Sequence, residues 1–402
     1  MAIDLQEVTR QVARHLDRAQ LVAWAQELIQ IDTTNPPGNE EPAVAWLEER
    51  LEALGFTHLR RHEPAPRRVS LTGDWGGSDG PTLIWNGHLD VVPAGDPTAW
   101  RFPPFAAHLH EGRIWGRGAA DMKGAFASLL AAIDALQRAG IRLRGRLHLQ
   151  AVADEEMLGM LGTKVLVEEA RGEPAGVRAD AAICGEPTGL RPMVAARGLL
   201  WAQITTVGRS AHASTPHLGV NAITKMARVI EALEALPFTA HHPLLGPPTL
   251  TVATIQGGEK ANMVPDWCRI TLDRRLVPGE TVEGARQELE GVLARLRDEA
   301  AVDARLEVLE AAEPSEIPAE TPMVQVVQAA RAALGLEPVA PGGFPGGTDA
   351  RFLIRQLGVP TVILGPGDLA QAHTTNESVD VEELEEGALL YAVILAAFLK
   401  PE

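Results

Sequence analysis

The sequence predicts an α/β protein with a mainly parallel central sheet, interrupted by an inserted α+β domain of ferredoxin-like order. Three observations predict it. Apolar strand-like runs alternate with helical segments early in the chain, a β-α-β-β-α-β succession fills residues 194–311, and signals of the first kind resume after it.

In chain order, Val44, Leu47, Leu51 and Leu54 recur at helical spacing, and Gly55 suits the position just past a helix C-terminus. TLIWNG reads as a strand, Ala125 to Arg138 as a helix, RLHLQAVA as a strand, Thr163 to Ala170 as a helix and DAAICG as a strand. The polar clusters NGHLD, DEE and GEPT fall where these strands end, the edge at which open α/β sheets gather ligand sites. The insertion then reads as strand (RGLLWAQITTVG), helix (VNAITKMARVIEALEAL), two strands (PTLTVATIQGG, WCRITLDRRLV), helix (TVEGARQELEGVLARLRDEA) and strand (ARLEVLEAA). AAEPSEIPAETP, rich in Pro and Glu, reads as the exit linker, after which MVQVVQAARAALG and VPTVILG complete the first sheet. The expected division is therefore residues 1–193 and 312–402 in one domain and 194–311 in the other.

A chain of 402 residues suits two domains, and 46% apolar with 22% charged residues can bury a core large enough to offset ordering entropy. The net charge of -17, from 53 acidic and 36 basic residues, repels phosphate backbones and anionic headgroups, so nucleic acid and membrane surfaces are excluded as expected partners. A small anionic substrate would need local basic groups. The N-terminus carries charges every few residues, and the apolar tract Ala388 to Leu399 is too short to span a bilayer, so a cytoplasmic protein is expected. Cys184 and Cys268 each lie in an apolar run and read as core thiols of a reducing compartment.

Five polar clusters carry candidate chemistry. His88 and Asp90 in NGHLDVVP are two apart and project from one face, where a carboxylate can hold an imidazole in one tautomer, as beside a metal. GRGAADMKG fails as a dinucleotide fingerprint, because Asp121 stands at the third glycine position and would repel pyrophosphate while suiting a cation. Glu155 and Glu156 in ADEEML are adjacent carboxylates that suit one ligand and one proton carrier. Glu186 in ICGEPTG and His373 in AHTTNE also follow apolar runs. Singly, each has a plain alternative as a surface pair, a helix cap, a solvated turn or a loop residue.

Together, NGHLDVVP, GRGAADMKG, DEE, GEPT, GRSAHAS, ANMVPD, GGTDAR and AHTTNE resemble, in order, the motifs of the M20 metallopeptidases. The resemblance implies a zinc-peptidase-like catalytic domain and an inserted lid and dimerisation domain. It implies two divalent ions, zinc first with cobalt or manganese as alternatives, one on His88, Asp121 and Glu186 and the other on Asp121, Glu156 and His373. Asp121 would bridge them, and the Asp121–Met122 peptide would be cis. Glu155 would be the general base, Asp90 would orient His88, and His212 would reach across a homodimer to the oxyanion in the partner's site. Asn262, Arg275, Gly347 and Thr348 match substrate-binding positions; Arg275 is favoured over Arg274 because it shares a strand face with Asp273, and Arg351 is a further candidate carboxylate binder. The implied substrate is a small N-acyl amino acid, with a dipeptide or a C-terminal glutamate peptide as the alternative, and a non-catalytic metal- or ligand-binding protein as the reading from another class.

Overall fold

In a computed structural model, the structure describes residues 4–172 and 178–402. Asp4 and Asp17 accept main-chain N–H groups of the turns that follow them, and so start α1 (Leu5–His15) and α2 (Arg18–Gln30). α3 (Glu41–Ala53) buries Val44, Leu47 and Leu51, and Gly55 takes a φ of 74° beyond its end. Next come β1 (Thr57–Ala65) and β2 (Arg68–Gly76), an antiparallel pair. The sequence reading missed it because β1 is polar and mostly exposed, leaving no apolar alternation to read. β3 (Thr82–His88) is buried throughout; β4 (His108–His110) and β5 (Arg113–Trp115) are short. α4 (Gly124–Arg138), β6 (Arg146–Val152), α5 (Thr163–Gly172), β7 (Ala181–Cys184) and β8 (Met193–Ala196) follow.

The inserted segment contributes β9 (Gly198–Val207), α6 (Ala222–Glu234), β10 (Thr249–Gly257), β11 (Trp267–Leu276), α7 (Val282–Ala300), β12 (Ala304–Ala312) and β13 (Ser315–Glu316). The chain ends with α8 (Pro322–Ala333), β14 (Gly342–Phe344), α9 (Ala350–Leu357), β15 (Thr361–Ile363), β16 (Ser378–Asp380) and α10 (Val381–Leu399).

Two compact units result. The first comprises residues 1–194, 317–342 and 348–402, and the second comprises 195–316 and 343–347. In the first, the strands run in the order β1-β2-β6-β3-β7-β15-β8; β6, β3, β7 and β15 are mutually parallel, and the flanking pairs are antiparallel. The tract Ala388–Leu399 is the end of α10, a helix buried on nearly every side, which accounts for its continuous apolar character. Tyr391 on that helix and Phe126 on α4 meet Trp85 of β3 edge-on, at ring separations of 6.0 and 4.9 Å. No helix among the described residues is long and apolar enough to cross a membrane.

In the second unit the antiparallel order β10-β11-β9-β12 is that of a ferredoxin-like sheet. Leu200, Ala202, Ile204, Cys268, Ile270 and Leu272 pack from this sheet into a core shared with α6 and α7. The segment read as the exit linker is held in place by a strand pairing. Ser315 and Glu316 pair with Ala196 and Ala195, so main-chain hydrogen bonds pin it despite its Pro-rich composition. Beyond it Ile317 donates its N–H to Val194 at 2.8 Å, and the two ends of the insertion leave the first unit side by side.

Candidate metal centre

Strand register decides which side chains meet. His88 at the end of β3 lies level with Val152 at the end of β6, and Asn86 lies level with Cys184 at the end of β7. The parallel strands therefore stop together, and the residues just beyond them, Asp90, Glu155, Glu156 and Glu186, collect at one carboxyl edge. Asp121 joins them from the turn Ala119–Lys123 ahead of α4, with a cis peptide to Met122. Met122 lies over the two strand glycines: a Cβ on Gly87 or Gly185 would come within 2.6 Å of its terminal methyl. His373 arrives from the loop after β15, with a φ of 61°.

Two groups of donors form. His88, Asp121 and Glu186 make one, and Asp121, Glu156 and His373 the other, with the donor atoms of each group within 4.8 Å of one another. Asp121 faces both: its Oδ1 lies 3.0 Å from Nε2 of His88, and its Oδ2 lies 3.6 Å from Nε2 of His373. The Glu186 carboxylate is 4.0 Å from His88 Nε2, and that of Glu156 is 3.0 Å from His373 Nε2. The first group is buried, whereas the His373 side chain is 55% exposed, so the second opens to solvent.

The electrostatics fit cations. Burial, reinforced by the neighbouring acids, pushes the carboxyls of Glu155, Glu156 and Glu186 above their ordinary range. Burial acts the same way on Asp121, but its hydrogen bond to His88 and the charges of His88 and His373 overcome it, and its carboxyl is held low. Four carboxylates crowded against two imidazoles form an environment that divalent ions would neutralise, and the mixed N and O donor set suits zinc, cobalt or manganese.

Residues 84–397 match the model of peptidase family M20/M25/M40. The chain is also 35% identical to the acetylornithine deacetylase of Myxococcus xanthus, over 94% of this chain and 97% of that one. The chain belongs to peptidase family M20/M25/M40. It is 33% identical to the succinyl-diaminopimelate desuccinylase of Paracoccus denitrificans, over 95% of this chain and 98% of that one. Among solved structures it shares the fold of an M20 metallo-carboxypeptidase from Sulfolobus solfataricus, with TM-score 0.79 at 19% identity, covering 94% of this chain and 99% of that one. It likewise shares the fold of an aminopeptidase from Bacillus cereus, with TM-score 0.78 at 24% identity, covering 96% and 100%. This M20 chain is a metal-dependent hydrolase of amide bonds.

Around the donors, the M20 chain uses residues whose part the sequence reading did not assign. Glu377, the last residue of AHTTNE, is fully buried; its Oε1 accepts the main-chain N–H groups of Ala120 at 2.9 Å and Asp121 at 3.1 Å, and its Oε2 accepts from Arg117 at 2.6 Å. Asp90 meets His88 differently from the expected carboxylate contact. His88 Nδ1 lies 2.9 Å from the Asp90 main-chain oxygen, with the nearer carboxylate oxygen at 3.7 Å, and Nε2 is directed at Asp121. The Asp90 carboxylate instead accepts the main-chain N–H groups of Glu155 at 3.1 Å and Glu156 at 3.3 Å. Side-chain to main-chain contacts of this kind leave no spacing pattern, so only the neighbouring motifs could have pointed to them.

Thr348 lies in the first unit and Gly347 in the second, where the chain passes between them; the Thr348 side chain is buried and its hydroxyl has no hydrogen-bond partner among the described residues. Arg351 is not a free carboxylate binder. Its guanidinium is buried and donates to the main-chain oxygens of Thr348 and Leu158, tying two loops together.

In the second unit, His212 and Asn262 come together, because Ala213 donates its N–H to the Asn262 oxygen at 3.0 Å and Val264 donates to Ala211 at 2.8 Å. Both side chains belong to exposed residues. Arg274 turns into the helix-side core, fully buried, in ion pairs with Glu280 and Glu288. Arg275 faces the other way, 30% exposed, and pairs with both oxygens of Asp273.

Proposed function

We propose that this M20 chain removes the acyl group from a small N-acyl amino acid. The observation that carries this reading is that Glu155 sits among the donors yet belongs to neither ligand group, so one carboxylate remains for proton transfer. The full-length likeness to relatives named as a deacetylase and a desuccinylase supports an acyl amino acid as substrate.

Two divalent ions, zinc foremost and cobalt or manganese as alternatives, would be held by His88, Asp121 and Glu186 and by Asp121, Glu156 and His373; they would polarise the amide carbonyl and acidify a water. Glu155, which belongs to neither donor group, would take a proton from the attacking water and return it to the leaving amine. Asp90 holds the main chain of Glu155 in place while this happens.

His212 supplies the oxyanion donor, to the site of a second copy in a homodimer. Ser214 donates its main-chain N–H to His212 Nδ1 at 3.1 Å, so a neutral ring keeps its proton on Nε2, the nitrogen left free to donate. Asn262, Arg275, Gly347 and Thr348 bind the substrate, with the half-exposed Arg275 guanidinium as partner of its free carboxylate. The two free, buried cysteines accord with a cytoplasmic location.

The test is hydrolysis of N-acetyl, N-succinyl and longer N-acyl amino acids beside dipeptides, after chelation and reloading with zinc, cobalt or manganese. Metal-dependent release of amino acid from the acyl substrates is expected. Cleavage of dipeptides alone would move the substrate to the peptidase side, and no cleavage at full metal loading would overturn the catalytic reading.

A further inference from the structure

A buried polar cluster lies behind the Glu155–Glu156 turn, away from the ligand atoms. Its centre is Arg68, at the start of β2, whose side chain is 8% exposed. The guanidinium pairs with Glu40 through two nitrogens, Nε donating to Oε2 at 3.0 Å and Nη2 lying 2.7 Å from Oε1 in an ionic contact without hydrogen-bond geometry. Nη2 also lies 3.0 Å from Asp154 Oδ1 and 4.0 Å from Asp90 Oδ2. Nη1 donates to the Asn35 side-chain oxygen at 3.0 Å and to the Pro37 oxygen at 3.2 Å. Asn35 in turn donates to Asp90 Oδ2 at 2.9 Å and reaches Asp154 Oδ1 at 3.4 Å.

Glu40, Asp90 and Asp154 are all buried, and this single guanidinium faces the three carboxylates. A buried acid cluster short of counter-charge is costly, and removing the cation that touches all three would drive its members apart. Two of those members hold the catalytic turn. Asp90 accepts the N–H groups of Glu155 and Glu156, and Asp154, in the left-handed region at φ 70°, begins the turn and caps its far side by accepting from Leu161 at 3.0 Å. The loop after α2 makes room for the fork: a Cβ on Gly38 would fall 2.2 Å from Arg68 Nη1, so only glycine fits beneath it.

We propose that Arg68 is a positioning residue for the hydrolytic site, fixing the turn that carries Glu155 and Glu156 through Asp154, Asn35 and Asp90. The proposal rests on the assignment of those two glutamates as base and ligand. Because the turn carries Glu156, a member of one donor group, while the other is touched only through the Asp90 main chain at His88, loss of Arg68 acts more strongly on the first of these sites. Residues that hold ligands from behind typically alter metal affinity or activity by about 10- to 100-fold.

The experiment is a titration of metal-free Arg68→Met, Arg68→Lys and unaltered protein with cobalt(II), read by calorimetry and visible absorption, alongside thermal unfolding and kcat and KM. For Arg68→Met, binding at Asp121, Glu156 and His373 is expected to weaken by about tenfold or more, with binding at His88, Asp121 and Glu186 weakened less, and kcat to fall at nearly constant KM. Arg68→Lys, which keeps the charge but not the fork, is expected to fall between the two. Unaltered titration steps, or equal weakening of both steps in proportion to a lowered melting temperature, would overturn the proposal. If Arg68→Met does not fold, Asn35→Ala, which cuts the link to Asp90 and leaves the Arg68–Glu40 fork, is read by the same criteria. Unaltered protein that takes up two ions yet cleaves no acyl amino acid would sink the functional reading alone, since the titration still decides the role of Arg68.

Discussion

The Glu377 carboxylate accepts the main-chain N–H of Asp121 at 3.1 Å, so the residue common to both donor groups hangs from a segment 256 positions further along the chain. Burial raises the Glu377 carboxyl to about 7, and the hydrogen bonds and the facing Arg117 charge work against that rise. Replacing Glu377 by Ala would orphan two buried N–H groups and strip Arg117 of its partner. A loss of roughly 3–5 kcal/mol in unfolding free energy is expected, with weaker metal retention. Denaturant unfolding at matched metal loading measures the first, and competition with a chelator measures the second.

Glu155→Gln keeps the size of the side chain and removes the proton carrier. The variant should take up both ions as the unaltered protein does, while turnover drops by roughly a hundred- to ten-thousand-fold. Metal analysis beside the kinetic assay checks it; unchanged turnover would remove Glu155 from the mechanism.

The two donor groups share only Asp121. Glu186→Ala and Glu156→Ala should therefore each retain one tightly bound ion, and Asp121→Ala neither. Equilibrium dialysis with cobalt gives the stoichiometries, and equal losses in all three variants would show that the groups do not act separately.

The proposal that His212 acts in the site of a second copy has a direct test. His212→Ala and Glu155→Gln should each be inactive, yet a mixture that exchanges subunits should regain activity, because one kind of mixed site has both groups intact. No recovery, with exchange shown by labelled subunits, would place the histidine's action elsewhere.

Acid stability should depend on Asp74. Burial alone would raise its carboxyl, but the 2.7 Å hydrogen bond and charge of His148, with Arg146 and His58 nearby, hold it below its ordinary 3.8. A depressed carboxyl stabilises the fold above its unfolded value and loses that contribution as pH falls through the folded one. Asp74→Asn should thus lower stability at pH 7 by roughly 1–2 kcal/mol and match the unaltered protein more closely at about pH 3. Urea midpoints at both pH values decide it.

The parallel part of the sheet and the inserted unit were legible in the sequence because their strands are apolar runs bounded by polar clusters, as in TLIWNG and RLHLQAVA. His88, Asp121, Glu156, Glu186 and His373 were legible through motif order, and the structure brings these five together. The β1–β2 pair was not, since β1 is polar and mostly exposed and carries no hydrophobic period. Nor was the Arg68 cluster. Its members are scattered from Asn35 to Asp154, and only folding brings them within hydrogen-bond distance, so no local spacing announces them. Arg351 shows the opposite error, a cation within the GGTDAR motif whose hydrogen bonds are spent on main-chain oxygens.

The chain order of the donors has a bearing on how the protein is made. His88, Asp121 and Glu186 are all synthesised before the inserted unit begins, whereas His373 and the buried helix α10 come from the last part of the chain. A nascent chain emerging from the ribosome can therefore complete most of the insertion, whose residues lie in one continuous stretch apart from 343–347, while its first unit still lacks the buried helix α10. The open donor group closes only once His373 has been made, so a product that stops short of it carries an incomplete centre.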